Sequence, residues 1–172
     1  RDVSFINCNV AGSTDKGFLL SENAHGCKII GCTIDNTTNE GINVGSDVHN
    51  ITISENRVKN IDDQVIEVND GADSITITNN IFETCGGNNT ATEGIISLQD
   101  TTSDITITGN IFGAGTAPAN SNPLTVETLV NRLVFTNNNT FGLTNHQPYI
   151  PNETDSIIAF NIPSQASQII AQ

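Results

Sequence analysis

The segment ITITNNIF at Ile75–Phe82 decides the fold, because near-copies of it recur along most of the chain. Two isoleucines alternate with threonines, two polar residues follow, and an apolar pair ends the segment. The other copies are VSFINCNV from Val3, CKIIGCTI from Cys27, ITISENRV from Ile51, ITITGNIF from Ile105 and LVFTNNNTF from Leu133. Successive copies begin 24, 24, 24, 30 and 28 residues apart. A period of this size predicts a solenoid, in which each repeat buries its apolar face against its neighbours.

Each repeat carries a second apolar segment. These segments are FLL at 18–20, INV at 42–44, IEV at 66–68, ISL at 96–98 and LTV at 124–126, and each ends seven residues before the next copy begins. Alternating apolar residues rich in Ile, Val, Thr and Phe are typical of strands, and no helical period is present. We therefore predict an all-β fold, a parallel β-helix of about six coils. Each coil has strand A (FLL, INV and so on), strand B (ITIT) and strand C (the closing apolar pair).

One position recurs five residues into every copy, and an apolar column stands beside it. It is occupied by Cys8, Cys32, Asn56, Asn80, Asn110 and Asn138. We expect these asparagines to take a left-handed conformation at a tight corner and to hydrogen-bond from turn to turn. This pattern resembles the asparagine ladder of the pectin-lyase-like right-handed β-helix superfamily. The column beside it, which we expect in the core, contains Val10, Ile34, Val58, Phe82 and Phe112, with Phe141 continuing it after a one-residue shift.

The repeat fades after residue 142, so we predict β-helix coils over 1–142 and a last partial coil with a cap or assembly tail over 143–172. The apolar run at 157–162 is expected to supply the last strand A. Bare coil ends would expose unpaired strand edges. We therefore expect a homo-oligomer or a place inside a larger polypeptide.

Four cysteines, Cys8, Cys27, Cys32 and Cys85, are expected to point inward as small buried hydrophobic residues. Cys8 and Cys32 share a column one turn apart. The expected Cα spacing permits a bridge there, although parallel Cβ vectors favour it poorly. Bridged and unbridged states both stay open at this point.

The charge balance argues against several partners. The chain has a net charge of −13 with six Lys and Arg residues, which would repel phosphate backbones and anionic membranes. We therefore expect no nucleic-acid binding, and the absence of a long apolar run predicts no membrane insertion. The polar, lysine-poor surface and the superfamily resemblance favour an extracellular location or a cell or virion surface.

The outward residues of strand A and the loops before it define the predicted site, a shallow groove along the coils. In sequence, Asn39-Glu40-Gly41-Ile42, Asp62-Asp63-Gln64-Val65 and Thr92-Glu93-Gly94-Ile95 stand on successive turns. This resembles the Asn-Thr-Asp-Gly, Asp-Asp and Gly-His-Gly series of polygalacturonase-type glycoside hydrolases. The resemblance implies catalytic roles for Asp62, Asp63 and Glu40. Glu93 replaces the family's histidine, and the Arg-Ile-Lys motif is absent.

The remaining outward and loop positions predict saccharide contacts. The candidate carbohydrate-binding residues are Asn43, Glu67, Asn69, Glu93, Ser97 and Gln99. No cofactor is required, but Asp62, Asp63 and Glu67 offer the oxygen ligands that Ca²⁺ prefers.

Three function classes follow from these observations. We favour an extracellular, non-catalytic module that binds a polysaccharide or glycan or has a structural role, because family catalytic residues are missing. The first alternative is a polysaccharide hydrolase, lyase or epimerase acting through the groove carboxylates. The second is a filament or surface-structure subunit.

Overall fold

The computed structural model describes residues 2–86, 94–113, 122–140, 142–143 and 148–150, and the backbone of 153–159. These residues form strands, turns and isolated bridges, without a helix. In chain order the strands are β1 (Ser4–Ile6), β2 (Asn9–Ser13), β3 (Phe18–Leu20), β4 (Lys28–Ile30), β5 (Thr33–Thr37), β6 (Ile42–Val44), β7 (His49–Ser54), β8 (Arg57–Ile61), β9 (Ile66–Val68), β10 (Asp73–Thr78), β11 (Ile81–Cys85), β12 (Gly94–Leu98), β13 (Thr102–Thr108), β14 (Ile111–Phe112), β15 (Asn122–Val126), β16 (Val130–Thr136) and β17 (Glu153–Ala159).

The strands stack into three parallel sheets, as the repeat predicts. Sheet A contains β3, β6, β9, β12 and β15, and sheet C contains β2, β5, β8, β11 and β14. Sheet B contains β1, β4, β7, β10, β13, β16 and β17. All three sheets are represented on five turns of the described chain, close to the six coils predicted.

The strand registers follow the sequence repeat. Ile75 pairs with Ile51 on one side and with Ile105 on the other, so the starts of the repeat copies lie in one column. Phe82 likewise pairs with Val58 and Phe112, and the two phenylalanine rings lie 5.1 Å apart between centroids. The predicted core column is therefore confirmed over these turns. Phe141 lies outside the described residues, and Thr140, which follows the bridge between Ile111 and Asn139, is fully buried.

The asparagine ladder is confirmed. The backbone N–H of Asn56 donates to Oδ1 of Asn80 at 3.0 Å, and that of Asn80 donates to Oδ1 of Asn110 at 2.9 Å. The ladder continues to Asn138, and all four asparagines are buried. Each Nδ2 also donates to a carbonyl oxygen of the preceding turn, as Asn80 does to Ile53. The buried amides are thus hydrogen-bonded through both their oxygen and their nitrogen.

The left-handed residue at this corner is not the ladder asparagine itself. The positive φ angle belongs to the residue before it, for example 59° at Glu55 and 57° at Asn79. This residue turns the chain, which leaves the following asparagine free to point inward and form the ladder. The predicted left-handed conformation of the ladder asparagines is therefore corrected by one position.

The strand assigned to the run at 157–162 also differs from the prediction. β17 pairs with β16, and Ile157 and Ile158 stand in register with Val134 and Phe135 in sheet B. Tyr149, which bridges to Thr125, extends sheet A instead. The sequence pattern misled here because the consecutive apolar residues of this run show no alternation that would distinguish strand A from strand B.

Three of the four cysteines are buried, Cys8 is half-buried against the core, and all four are free thiols. Cys85 lies in the column of Ile61, as the repeat predicts.

Candidate functional site

The outward side chains of sheet A form one column along the solenoid. In register, this column contains Leu19, Asn43, Glu67, Ser97 and Thr125. Leu19 is 58% exposed, whereas Asn43, Glu67, Ser97 and Thr125 are all buried. The predicted groove is therefore open at the first turn and closed over the turns that follow. Ser97 in particular has no exposed surface, so it does not line an open groove as the sequence led us to expect.

Glu67 is the centre of this column, and three amide side chains surround its carboxyl group. Asn43 Nδ2 donates a hydrogen bond to Glu67 Oε2, and Gln99 Nε2 donates to Oε1. Asn69 Nδ2 lies 3.4 Å from Oε2 and also donates to the Val44 carbonyl oxygen at 3.1 Å. Strand pairing brings these side chains together, because they stand at outward positions of three adjacent turns.

Glu40, at the corner before β6, is paired with Lys16 from the preceding turn. Lys16 Nζ lies 2.7 Å from Glu40 Oε2, and both side chains are mostly buried. Burial acts to raise the pKa of Glu40, but the hydrogen bond and the positive charge of Lys16 outweigh it and lower that pKa below its usual range. The same hydrogen bond raises the pKa of Lys16. Glu40 is thus held as a carboxylate.

The pKa of Glu67 shifts in the opposite direction, because Glu67 is buried and lies near the ionised Glu40. Burial, followed by the charge of Glu40, raises the pKa of Glu67 to about 7. The two carboxyl groups are close enough to influence each other's pKa. Burial and the neighbouring negative charge both favour the protonated form of Glu67, so Glu67 keeps its proton to a higher pH than an ordinary glutamate does.

The other predicted acidic residues lie outside this pair. Asp62 is exposed, and its N–H donates to the Thr37 carbonyl oxygen. Asp63 is half-buried, and its Oδ1 accepts a hydrogen bond from the N–H of Gln64 at 3.0 Å. Glu93 lies outside the described residues. The structure therefore joins Glu40 to Glu67, and the Asp62–Asp63 pair belongs to the neighbouring corner.

No group of three or more His, Cys, Asp or Glu side chains in the described part of the chain is arranged to hold a metal ion. Ca²⁺ binding by Asp62, Asp63 and Glu67 stays a prediction. The cations Arg57 and Lys59, on sheet C, pair with Glu83 and Asp35.

A shallow depression opens beside the buried network, at the first turns of sheet A. It is lined by Leu19, Ser21, Glu22, Asn43, Gly45, Ser46 and Asn69. Asn43 and Asn69 belong both to this surface and to the hydrogen bonds around Glu67. Glu22 and Ser46 were not predicted, because they lie in the turns after β3 and β6, where no sequence pattern marks them.

The surroundings of the two carboxyl groups determine their chemistry. Glu67 is surrounded by three amide side chains, and Glu40 is paired with Lys16. The pair can bind or release a proton, whereas the open amides and hydroxyls beside it can hydrogen-bond to a neutral polar ligand.

The fold and its internal ladder define the chain as a parallel β-solenoid. A family model described as the right-handed β-helix region matches residues 1–112, and the chain belongs to this family. The predicted right-handed β-helix is thereby confirmed. No curated protein and no solved structure matches the chain. Among the described residues, no helix has the length and apolar character needed to cross a membrane.

Proposed function

We propose that the chain is a non-catalytic glycan-binding β-helix module that works outside the cell or on a virion surface, within a larger polypeptide or an oligomer. The observation that carries this proposal is that two asparagines belong both to the open depression and to the hydrogen bonds around Glu67. Asn43 and Asn69 line the depression, and both are oriented by hydrogen bonds around Glu67. Amides fixed in this way bind sugar hydroxyls without first losing side-chain freedom.

The charge distribution favours a neutral saccharide. The net charge of −13 repels a polyuronate, and Lys16 is already paired with Glu40. The exposed side chain of Leu19 offers an apolar surface on which the carbon face of a sugar ring can lie.

Glycan-array screening followed by calorimetric titration with the best neutral glycan tests the proposal. Asn69→Ala is expected to weaken binding about tenfold, which corresponds to about 1.4 kcal/mol. The matched control is Thr52→Ala, on the outer face of sheet B. Binding that is unchanged by Asn69→Ala, or lost in Thr52→Ala, contradicts this location.

The second candidate function is a polysaccharide-degrading enzyme. It is favoured by the opposite pKa shifts of Glu40 and Glu67, since acid and base roles are typically divided between such groups. Glu67 would then be the general acid, and Glu40, Asp62 or Asp63 would act as base or nucleophile. Release of reducing ends or unsaturated products that is abolished by Glu67→Gln or Asp63→Asn would establish this function and exclude the first.

A further inference from the structure

The first two turns of the solenoid lack the asparagine ladder, and two cysteines take its place. Cys8 and Cys32 occupy the ladder column, as the pairing of Asn9 with Thr33 shows. The N–H of Thr33 donates to the Cys8 carbonyl oxygen at 2.9 Å, so the two cysteines stand on directly adjacent turns.

The ladder ends at Cys32 for a chemical reason. Cys32 N–H still donates to Oδ1 of Asn56 at 2.8 Å, and its thiol lies 3.5 Å from the Phe5 carbonyl oxygen, where ladder amides make the equivalent contact. A thiol, however, is a weaker acceptor than an amide oxygen, so it can hold the N–H of Cys8 only less strongly than Oδ1 would. The link between the first and second turns is therefore weaker than every later link of the ladder.

The two thiols are placed to form a covalent link instead. Adjacent turns are about 4.8 Å apart, which lies inside the Cα range of roughly 4.4–6.8 Å found for disulfides. The register of Asn9 with Thr33 and of Val10 with Ile34 holds Cys8 and Cys32 side by side. Cys8 is half-buried, so a small oxidant can reach it.

We propose that Cys8 and Cys32 are a modification site, at which a small-molecule disulfide such as oxidised glutathione converts the two thiols into an inter-turn disulfide. The Cys8 thiol loses its proton and bonds to one glutathione sulfur, which releases the other glutathione as a thiol. Cys32 Sγ then loses its proton and displaces the second glutathione. Both cysteines are thereby oxidised, and one glutathione disulfide is reduced to two thiols.

This bond would fasten the first described turn to the second, where the ladder hydrogen bonds between asparagines are missing. On the first turn Val3 and Ile6 are exposed and Phe5 is half-buried, so a covalent link there adds stability that packing supplies only in part. The proposal is independent of the glycan-binding site.

The other two cysteines provide the control. Cys85 is fully buried and pairs with Ile61 on the neighbouring turn. Cys27 stands at the start of the strand B motif, in another column, with its Sγ 3.7 Å from the His25 carbonyl oxygen. Neither cysteine has a thiol on the adjacent turn of its own column.

The test is oxidation of the reduced full chain in a glutathione redox buffer, followed by intact mass measurement and non-reducing peptide mapping. We expect loss of two hydrogen atoms per chain and a linked peptide pair containing Cys8 and Cys32. We also expect slower hydrogen exchange in β1 and an unfolding midpoint higher by about 5 to 10 °C.

The variants and reduction complete the test. Cys8→Ser is expected to abolish the mass change and the shift of the unfolding midpoint, whereas Cys85→Ser is expected to keep both. Reduction of the oxidised wild type should reverse both effects, and this arm holds even if Cys8→Ser folds poorly. Full alkylation of all four thiols after oxidation, a bridge to Cys27 or Cys85, or a disulfide between two chains would overturn the proposal.

Discussion

Among individual residues, Glu67 shows most clearly how position changes chemistry. The same side chain on an exposed loop would be an ordinary carboxylate, but here it is 9% exposed, beside ionised Glu40 and among three amides. Lys16 neutralises Glu40 rather than Glu67. The proton is therefore retained on Glu67, the member of the pair without a cation.

This arrangement predicts a pH-dependent stability that Glu67→Gln removes. The pKa of Glu67 is raised in the folded state to about 7, so its contribution to stability is complete below its unfolded pKa and is lost as the pH rises through 7. We therefore compare the free energy of unfolding of Glu67→Gln with that of the wild type at each pH. The variant's value, relative to the wild type, should be about 1 to 3 kcal/mol higher at pH 8 than at pH 5.

Denaturant unfolding at the two pH values measures this difference. Glu55→Gln removes an exposed carboxyl group at a distant corner and controls for the general loss of negative charge. An equal gain at both pH values in Glu67→Gln would show that its carboxyl group titrates normally.

The ladder gives a second prediction for a single residue. Asn80→Ala removes the Oδ1 that accepts from Asn56 and the Nδ2 that donates to the Ile53 carbonyl oxygen, all in the buried interior. We expect a loss of about 1 to 3 kcal/mol in free energy of unfolding. Asn79→Gly removes an exposed amide while keeping the left-handed backbone, and is expected to cost much less. Similar losses in the two variants would argue against a ladder role.

Among the structural elements, the corner before each strand of sheet A determines where the site residues stand. Gly41 follows Glu40 directly, and a Cβ at this position would lie 2.8 Å from the Val65 carbonyl oxygen and 3.1 Å from the Val58 side chain. Gly41 is therefore required for a close approach between turns and not for a positive φ angle.

Gly41→Ala is accordingly expected to destabilise the fold by about 1 to 3 kcal/mol, because the backbone must move to accept the methyl group. The same movement should shift Glu40 away from Glu67. Gly12→Ala is the matched comparison: Gly12 has a φ of 68° with nothing within 4 Å of the added Cβ, so it carries only backbone strain. Thermal unfolding of both variants measures the two costs, and a neutral Gly41→Ala would contradict the tight corner.

The elements also show how far the sequence could predict the structure. The constant offsets within each repeat were sufficient to predict the three sheets, the core column and the ladder column. They were insufficient for β17, because its consecutive apolar residues at 157–159 show no alternation that would assign the strand to sheet A or to sheet B. In the site, register alone brought Asn43 and Glu67 together, but it could not predict that Glu67 and Ser97 are buried, since the strand pattern does not tell what packs over the outer face of sheet A. Nor could it predict that Glu40 turns toward Glu67 rather than toward Asp62.

At the level of the whole molecule, β1, β2 and β3 each pair with one neighbouring strand among the described residues of this chain. Such edges pair readily with other strands unless they are covered. We expect light scattering on this chain to show a species larger than a monomer, consistent with a module of a larger assembly or with the alternative of a filament subunit. Charged substitutions at exposed Ile6, such as Ile6→Lys, should shift the population toward monomer. A monomer at all concentrations would contradict association through this end.

The feature with the most consequences is the raised pKa of Glu67 beside ionised Glu40, in a closed network next to the proposed binding surface. The most direct measurement is a pH titration of the side-chain carboxyl ¹³C resonances by NMR, with Glu67 assigned by Glu67→Gln. We expect Glu67 to titrate near pH 7, and we expect its midpoint to fall in Glu40→Gln, where the neighbouring charge is removed. A Glu67 midpoint near the ordinary glutamate value of about 4.3, unchanged in Glu40→Gln, would show two independent carboxylates and contradict the account.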